Sequence, residues 1–204
     1  ISRRQRQMCI RDRATGIATL SVVTSLMAAY ALVYFKIKYA SFFFWLIFIT
    51  LLVPLELRIM PSYLVMSKLG LVNSYIGLIL PISASAIATF FFRQFYKSIP
   101  EELLEAAKLD GTGSWRFFVD FLIPLSKTMI AAVFIFMFVF GYNQYLWPLI
   151  MTTTEQYWTV VMGLKTMYGS ISDRFAFVIM SMVPPVIIII FLQRWFIQGI
   201  FQNK

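Results

Sequence analysis

Glu105-Ala106-Ala107-Lys108-Leu109-Asp110-Gly111, followed after nine residues by Phe121-Leu122-Ile123-Pro124, is a polar island between strongly apolar segments. Elsewhere charge is scarce: 60% of the 204 residues are hydrophobic, 13% are charged and 21 are Phe, with a mean hydropathy of +0.77. A water-soluble fold of this size needs far more polar surface than that. The chain therefore belongs in a bilayer, and the island is where it meets water. Ser98 followed by Glu101 is a capping-box pattern, and Pro100 is compatible with a first helical turn. A short helix is expected there, with Leu103, Ala106, Ala107 and Leu109 as an apolar, small-residue surface and Glu101, Glu102, Glu105 and Lys108 solvated. Gly111 can take the left-handed conformation that ends a helix, and Ser114 can cap the next. Trp115, Phe118, Val119 and Leu122 then follow i, i+3, i+4, i+7 as one apolar stripe. A helix-turn-helix elbow results.

On either side of the island lie segments near the length of about 20 apolar residues that a hydrocarbon core requires. Five spanning helices are predicted, at 16–35, 41–55, 74–92, 125–147 and 175–192. The second is short and runs into Glu56 and Arg58, so its outer end is expected to be snorkelled or interfacial. Pro81, Pro184 and Pro185 predict kinks in the third and fifth. Placing the elbow in the cytoplasm gives that side nine Lys and Arg against four outside, which satisfies the positive-inside rule.

The remaining five arginines lie in residues 1–13, which this topology puts outside, against the rule. That stretch has neither an apolar h-region nor a small-residue cleavage site, so it is not a signal peptide. It resembles translated sequencing-adapter read-through, and the native portion, residues 14–204, is expected to lack a first transmembrane helix. The one cysteine, Cys9, lies in that stretch, so no disulfide or thiol chemistry is expected. The net charge of +9 does not point to nucleic acid, because the basic residues sit at the ends of apolar runs and no basic patch interleaves with stacking aromatics. No His occurs, the nine carboxylates show no pairing suited to a metal or to glycosidase chemistry, and no phosphate-cradling Gly-Lys-Ser/Thr loop is present. Neither a metal, a cofactor nor an enzymatic activity is expected.

The spacing Glu-Ala-Ala, three residues, Gly, nine residues and an apolar triplet ending in Pro resembles the EAA loop of permease subunits in binding-protein-dependent ABC importers. The resemblance covers 14–204, and its carbohydrate-type subfamily is similar at Phe44-Trp45-Leu46-Ile47-Phe48-Ile49-Thr50-Leu51, Ala88-Thr89-Phe90-Phe91-Phe92-Arg93-Gln94-Phe95, Pro124-Leu125-Ser126-Lys127-Thr128 and Asn143-Gln144-Tyr145-Leu146-Trp147-Pro148-Leu149. The family's usual Ile and Leu before the final Pro are here Phe121 and Ile123. The resemblance implies an all-α polytopic helix bundle in the inner membrane, translocating a small polar solute, sn-glycerol-3-phosphate or a sugar. Implied partners are a homologous permease subunit, two cytoplasmic ATPase subunits that supply the hydrolysis, and an extracytoplasmic substrate-binding protein, besides membrane lipid. Within the coupling loop, 93–124, Glu105, Ala106, Ala107, Asp110, Gly111 and Pro124 are the implied ATPase-coupling residues.

For the solute path, Asn143 and Gln144 with Tyr145 and Trp147, near the outer end of the fourth span, are the candidates, since intramembrane polar groups are costly unless they face a cavity or a neighbouring helix. An ordinary aromatic belt and interhelical packing are the alternative for the same residues. An anionic solute would want a cation; Arg58 beside Glu56 is available, with an exposed ion pair as the plainer account. A secondary carrier or channel-like protein without an ATPase is the competing class, against which stands the lack of intramembrane carboxylates suited to ion coupling.

Overall fold

The structure, a computed structural model, describes residues 3–35 and 37–154 and scattered positions between 171 and 190. Among the described residues all regular structure is helical. In chain order the helices are α1 (Arg3–Tyr34), α2 (Ala40–Ile49), α3 (Leu55–Lys68), α4 (Tyr75–Ser83), α5 (Ala86–Lys97), α6 (Glu101–Leu109), α7 (Ser114–Leu125), α8 (Lys127–Tyr142) and α9 (Leu146–Met151).

Among the described residues only α1, from Asp12 to Tyr34, is long and apolar enough to cross a membrane unaided; three more crossings arise there if each bent pair of helices counts as one. The first expected span therefore stands, but its helix starts at Arg3 and passes position 14 without a break. Arg13 is buried, and its guanidinium donates to the Gly141 carbonyl at 2.9 Å. The second span stops short of its expected end. Pro54, extended at φ −53° and ψ 141°, turns the chain, and a separate helix, α3, begins where a snorkelled terminus was expected, 105° away from α2. Glu56 in the first turn of α3 suits that end of a helix dipole.

Ser74 starts the third span, its hydroxyl accepting from the Gly77 amide at 3.0 Å. Pro81 foretells a kink, and the chain unwinds just beyond it: α4 ends at Ser83, α5 starts at Ala86, and the two make an angle of 46°. Ser85 caps the second half by accepting from the Ala88 amide at 3.2 Å. The fourth span ends at Tyr142, and Trp147 belongs to the short α9 instead. Of the fifth, scattered positions such as Phe175, Ile179, Met182 and Ile187 are helical and exposed, and the kink expected at Pro184 and Pro185 lies outside the described residues.

At the centre stands α1, packed against α8, α5 and α4. It buries a stripe of Ala14, Ala18, Ser21, Ser25 and Ala29, none more than 1% exposed. Small residues at this spacing let helix backbones approach closely, which supplies packing where lipid offers no hydrophobic drive.

Candidate functional site

The polar island folds into the expected elbow, but its caps and its stripe differ from the sequence reading. Helix α6 starts from Pro100 with no side-chain cap, while the Ser98 hydroxyl donates to the Phe95 carbonyl at 2.7 Å and so closes α5. The capping box does not form because Ser98 lies two residues before the cap position. At the other end the expectation holds. Gly111 has φ +71°, the Thr112 amide donates to the Ala107 carbonyl and the Gly111 amide to that of Lys108, both at 3.0 Å. These two bonds make a Schellman closure, which wants glycine at this position.

Helix α6 divides the candidate residues into two sets. Ala107 is only 3% exposed and packs with Leu104 toward the core, so it is not part of the open apolar surface expected of it. Glu105, Ala106, Asp110 and Gly111 are exposed, and Leu109, at 90%, projects from the end of the helix. The reason is periodicity: in nine residues only positions one turn apart, such as 104 and 107, share the inner face.

Gly113, not Ser114, occupies the cap of α7; the Ser114 carbonyl instead accepts from the Tyr30 hydroxyl of α1 at 2.7 Å. The predicted stripe is also redistributed. Phe117, Phe118 and Leu122 are buried, whereas Trp115 is 66% exposed and Val119 is exposed too. Residues Phe117–Leu122 are wound as a π-helix, with the Ile123 amide donating to the Phe118 carbonyl five residues back. Pro124, exposed at the end of this stretch, accounts for the widening: its ring cannot pack against the carbonyl four residues earlier, and it has no N–H to donate there. With the turn enlarged, i, i+1 and i+5 share a face in place of i, i+3, i+4 and i+7.

That face is bolted to the bundle by aromatics the sequence reading did not single out. Tyr30 lies 4.8 Å from Phe118 between ring centroids, Tyr34 lies 5.5 Å from Phe117, and Tyr34 meets Tyr96 of α5 edge-on at 6.0 Å. Offset and edge-on pairs of this kind contribute about 0.5–1.5 kcal/mol each beyond their burial. Buried Ser126, donating to the Leu122 carbonyl at 2.6 Å, ties the end of α7 to the start of α8. The elbow is thus tied through α7 to α1 and α8, and through Tyr34 to α5. The available signal was the placement of Tyr30, Tyr34 and Tyr96 near the ends of two apolar runs beside the island; interfacial belts produce the same pattern.

The solute-path candidates lie at the other end of α8, whose 16 residues separate the two groups by about 24 Å. Asn143 ends α8 and is exposed, Gln144 is buried, Tyr145 is half-buried, and Trp147 is 2% exposed within the core. Next to them the Asn73 side chain binds Thr153, donating to its hydroxyl at 3.0 Å and accepting from its amide at 2.8 Å. Coupling and path candidates are therefore not brought into one site; α8 connects them.

Residues 21–202 match the family described as "Binding-protein-dependent transport system inner membrane component". Over 197 residues, 94% of this chain and 70% of the relative, the sequence is 44% identical to the sn-glycerol-3-phosphate transport system permease protein UgpE of Yersinia pestis. Over the same extents it is 44% identical to the protein of that name from Brucella melitensis and 45% identical to that of Agrobacterium fabrum. In fold it is similar to a chain of a bacterial ABC transporter involved in the import of the acidic polysaccharide alginate, with a TM-score of 0.76 over 93% of this chain and 75% of that one, at 22% identity.

Proposed function

Since this chain belongs to the family of binding-protein-dependent transport system inner membrane components, permease subunits of ABC importers and not enzymes, we propose that its cargo is sn-glycerol-3-phosphate. We further propose that the exposed face of α6 docks into a cytoplasmic ATPase subunit. The cargo reading is supported by relatives 44–45% identical that carry that solute in their names. In this reading a homologous permease completes the path, two ATPase subunits supply the energy and an extracytoplasmic protein delivers the solute.

The observation that carries the docking proposal is the division of the elbow. One side of α7 is clamped through Tyr30 and Tyr34 and α6 seats Ala107 and Leu104 against the core, while the open side of α6 offers Ala106 and a Leu109 that is 90% exposed. A short helix seated on the core by Ala107, with small and apolar residues in front, suits the helix-in-groove mode of recognition. Glu105, Asp110 and Gly111 frame the contact, and Pro124 sets the widened turn behind it. The test is a single cysteine at Leu109, with Cys9 replaced by Ser, in membranes containing the partner subunits. A crosslink to the ATPase that changes with ATP is the expected result. Labelling by lipid-phase reagents with no partner captured under any nucleotide condition makes the elbow a membrane-resting helix.

A further inference from the structure

From Tyr75 to Tyr96, through α4 and nearly all of α5, the chain carries a single charge, Arg93. It stands four residues before Lys97, where α5 ends, and so about 6 Å inside the end of the helix. That end is the elbow side of the bundle: the Tyr34 hydroxyl, at the end of α1, donates to the Tyr96 carbonyl at 3.4 Å, and α2 starts from the same side after a short loop. Arg93 therefore lies just within the boundary between headgroups and hydrocarbon. An ionisable side chain at such a level pairs with an opposite charge, binds backbone carbonyls or faces water. Among the described residues no hydrogen bond or ion pair reaches Arg93.

Its guanidinium lies instead over the Phe44 ring of α2, 3.8 Å from the centroid. Phe44 is buried and is backed by Phe48 at 5.9 Å and Phe90 at 6.2 Å, so the ring is fixed and the cation on it is fixed too. Side chains lean toward the start of their own helix. Because α2 begins at the elbow side and α5 ends there, Arg93 leans inward and Phe44 outward, and the two meet. Phe44 is itself four residues into α2, so the stacked cation stays at that depth and does not reach out past Lys97. Its nitrogens are unequal. Nε is sealed and has no partner, whereas the two terminal nitrogens, equally unpartnered, are not sealed. A flat guanidinium with one face stacked and both tips open matches two oxygens of a phosphate. The rim is aromatic and basic: Phe42, Trp45 and Phe91 are exposed around the notch, and Lys38 and Lys97 stand at its outer end. Neither α2, α5 nor the loop before α2 contains an Asp or Glu.

We propose that Arg93, pinned on Phe44, holds the phosphate of an anionic phospholipid in the notch between α2 and α5 at the elbow end. Aromatic side chains at the headgroup level and cations between helices are how lipid headgroups are recognised. A soluble phosphate brings the same oxygens but no acyl chains to cover Phe42 and Trp45. The proposal is independent of the cargo. To test it, the importer is purified in detergent with the subunits that assemble with it and titrated with phosphatidylglycerol, phosphatidylcholine or inorganic phosphate. Bound molecules are counted by native mass spectrometry. The parent is expected to bind one phosphatidylglycerol about tenfold more tightly than phosphatidylcholine and to keep it in millimolar inorganic phosphate. Arg93→Gln should weaken that binding by about tenfold, the scale of one lost charge-assisted contact, and Arg93→Lys by less. Phe44→Leu keeps the cation but removes the ring that fixes it; it should weaken binding a few-fold and serves where the Gln variant fails to assemble. Lys127→Gln, which removes an exposed cation at the start of α8, should leave the affinity unchanged. A parent with no preference for phosphatidylglycerol overturns the site, and means that a carboxylate of the partner permease covers the notch. Displacement of the lipid by inorganic phosphate makes it a site for a soluble anion. Unchanged binding in Arg93→Gln or Phe44→Leu, or an equal loss in Lys127→Gln, overturns it as well.

Discussion

Among the described residues two glycines adopt left-handed backbone and close a helix in the same way. Gly70, at φ +69°, ends α3, with the Leu71 amide bonded to the Met66 carbonyl at 2.9 Å, and Gly111, at φ +71°, ends α6. Neither has any atom within 4 Å of where a Cβ would stand, so an alanine at either position meets no clash and costs only backbone strain, about 1–2 kcal/mol. The pair separates strain from coupling. Gly111→Ala should reduce ATP-driven uptake by about fivefold or more, because that much strain shifts a local closure by a factor of this order, while Gly70→Ala should leave it above half of the parent's. Equal losses in the two variants, at equal amounts of assembled complex, would remove Gly111 from the coupling proposal. Ala107 is the wrong residue for such a test. At 3% exposure it is part of the core, and a charged side chain there reports on folding.

In the proposed coupling the element that carries motion is α7, and its π-wound middle sets which of its residues face the bundle. Phe118→Ala deletes the ring tilted against Tyr30 at 4.8 Å, a truncation that costs about 3–5 kcal/mol in a packed core. Removing the Tyr30 hydroxyl by Tyr30→Phe loses one hydrogen bond of 2.7 Å, worth about 1 kcal/mol. Solute transported per ATP hydrolysed is the discriminating quantity: it should fall about tenfold in Phe118→Ala, and slightly in Tyr30→Phe. If both ratios stay at the parent's value, the aromatic clamp is packing and nothing more. At this scale the sequence was legible where chemistry is local and illegible where a later residue acts on an earlier turn. Gly111, Ser74 and the kink after Pro81 follow from their own backbone preferences. The burial of Phe117 in place of Val119 does not, because a 3.6-residue period takes no account of what Pro124 does to the turn before it. Likewise Pro54 hid α3: the hydropathy of the preceding residues reads on to Leu55, but the backbone leaves the helical region at Val53.

Across the whole molecule the described helices form a layer with two unlike ends. Lys97, Lys108 and Arg116 lie at the elbow end, where α5 finishes and α8 begins; Lys68 lies at the other, where the loop after α3 meets Met151 through the Asn73 amide at 3.0 Å. Between them stands a belt of exposed apolar side chains, including Phe42, Leu46, Leu57 and Leu64, each more than half exposed in the single chain. Such a belt is covered by lipid or, in the proposed assembly, by a second permease, since each exposed square ångström of apolar surface costs about 25 cal/mol in water. The proposed orientation therefore makes a sided prediction. Lys108 and Arg116 are exposed on the elbow, and Lys68 is exposed at the far end. In inside-out vesicles trypsin should cut at Lys108 and Arg116 and leave Lys68 intact; applied to spheroplasts it should do the reverse. Bound ATPase should slow the elbow cuts, because an occupied groove excludes the protease from α6, and should leave the cut at Arg116 less protected than that at Lys108, which is three residues from Glu105. Cleavage of the elbow from the outer side would invert the topology and put α6 out of reach of any cytoplasmic partner, whatever the charge count between the spans.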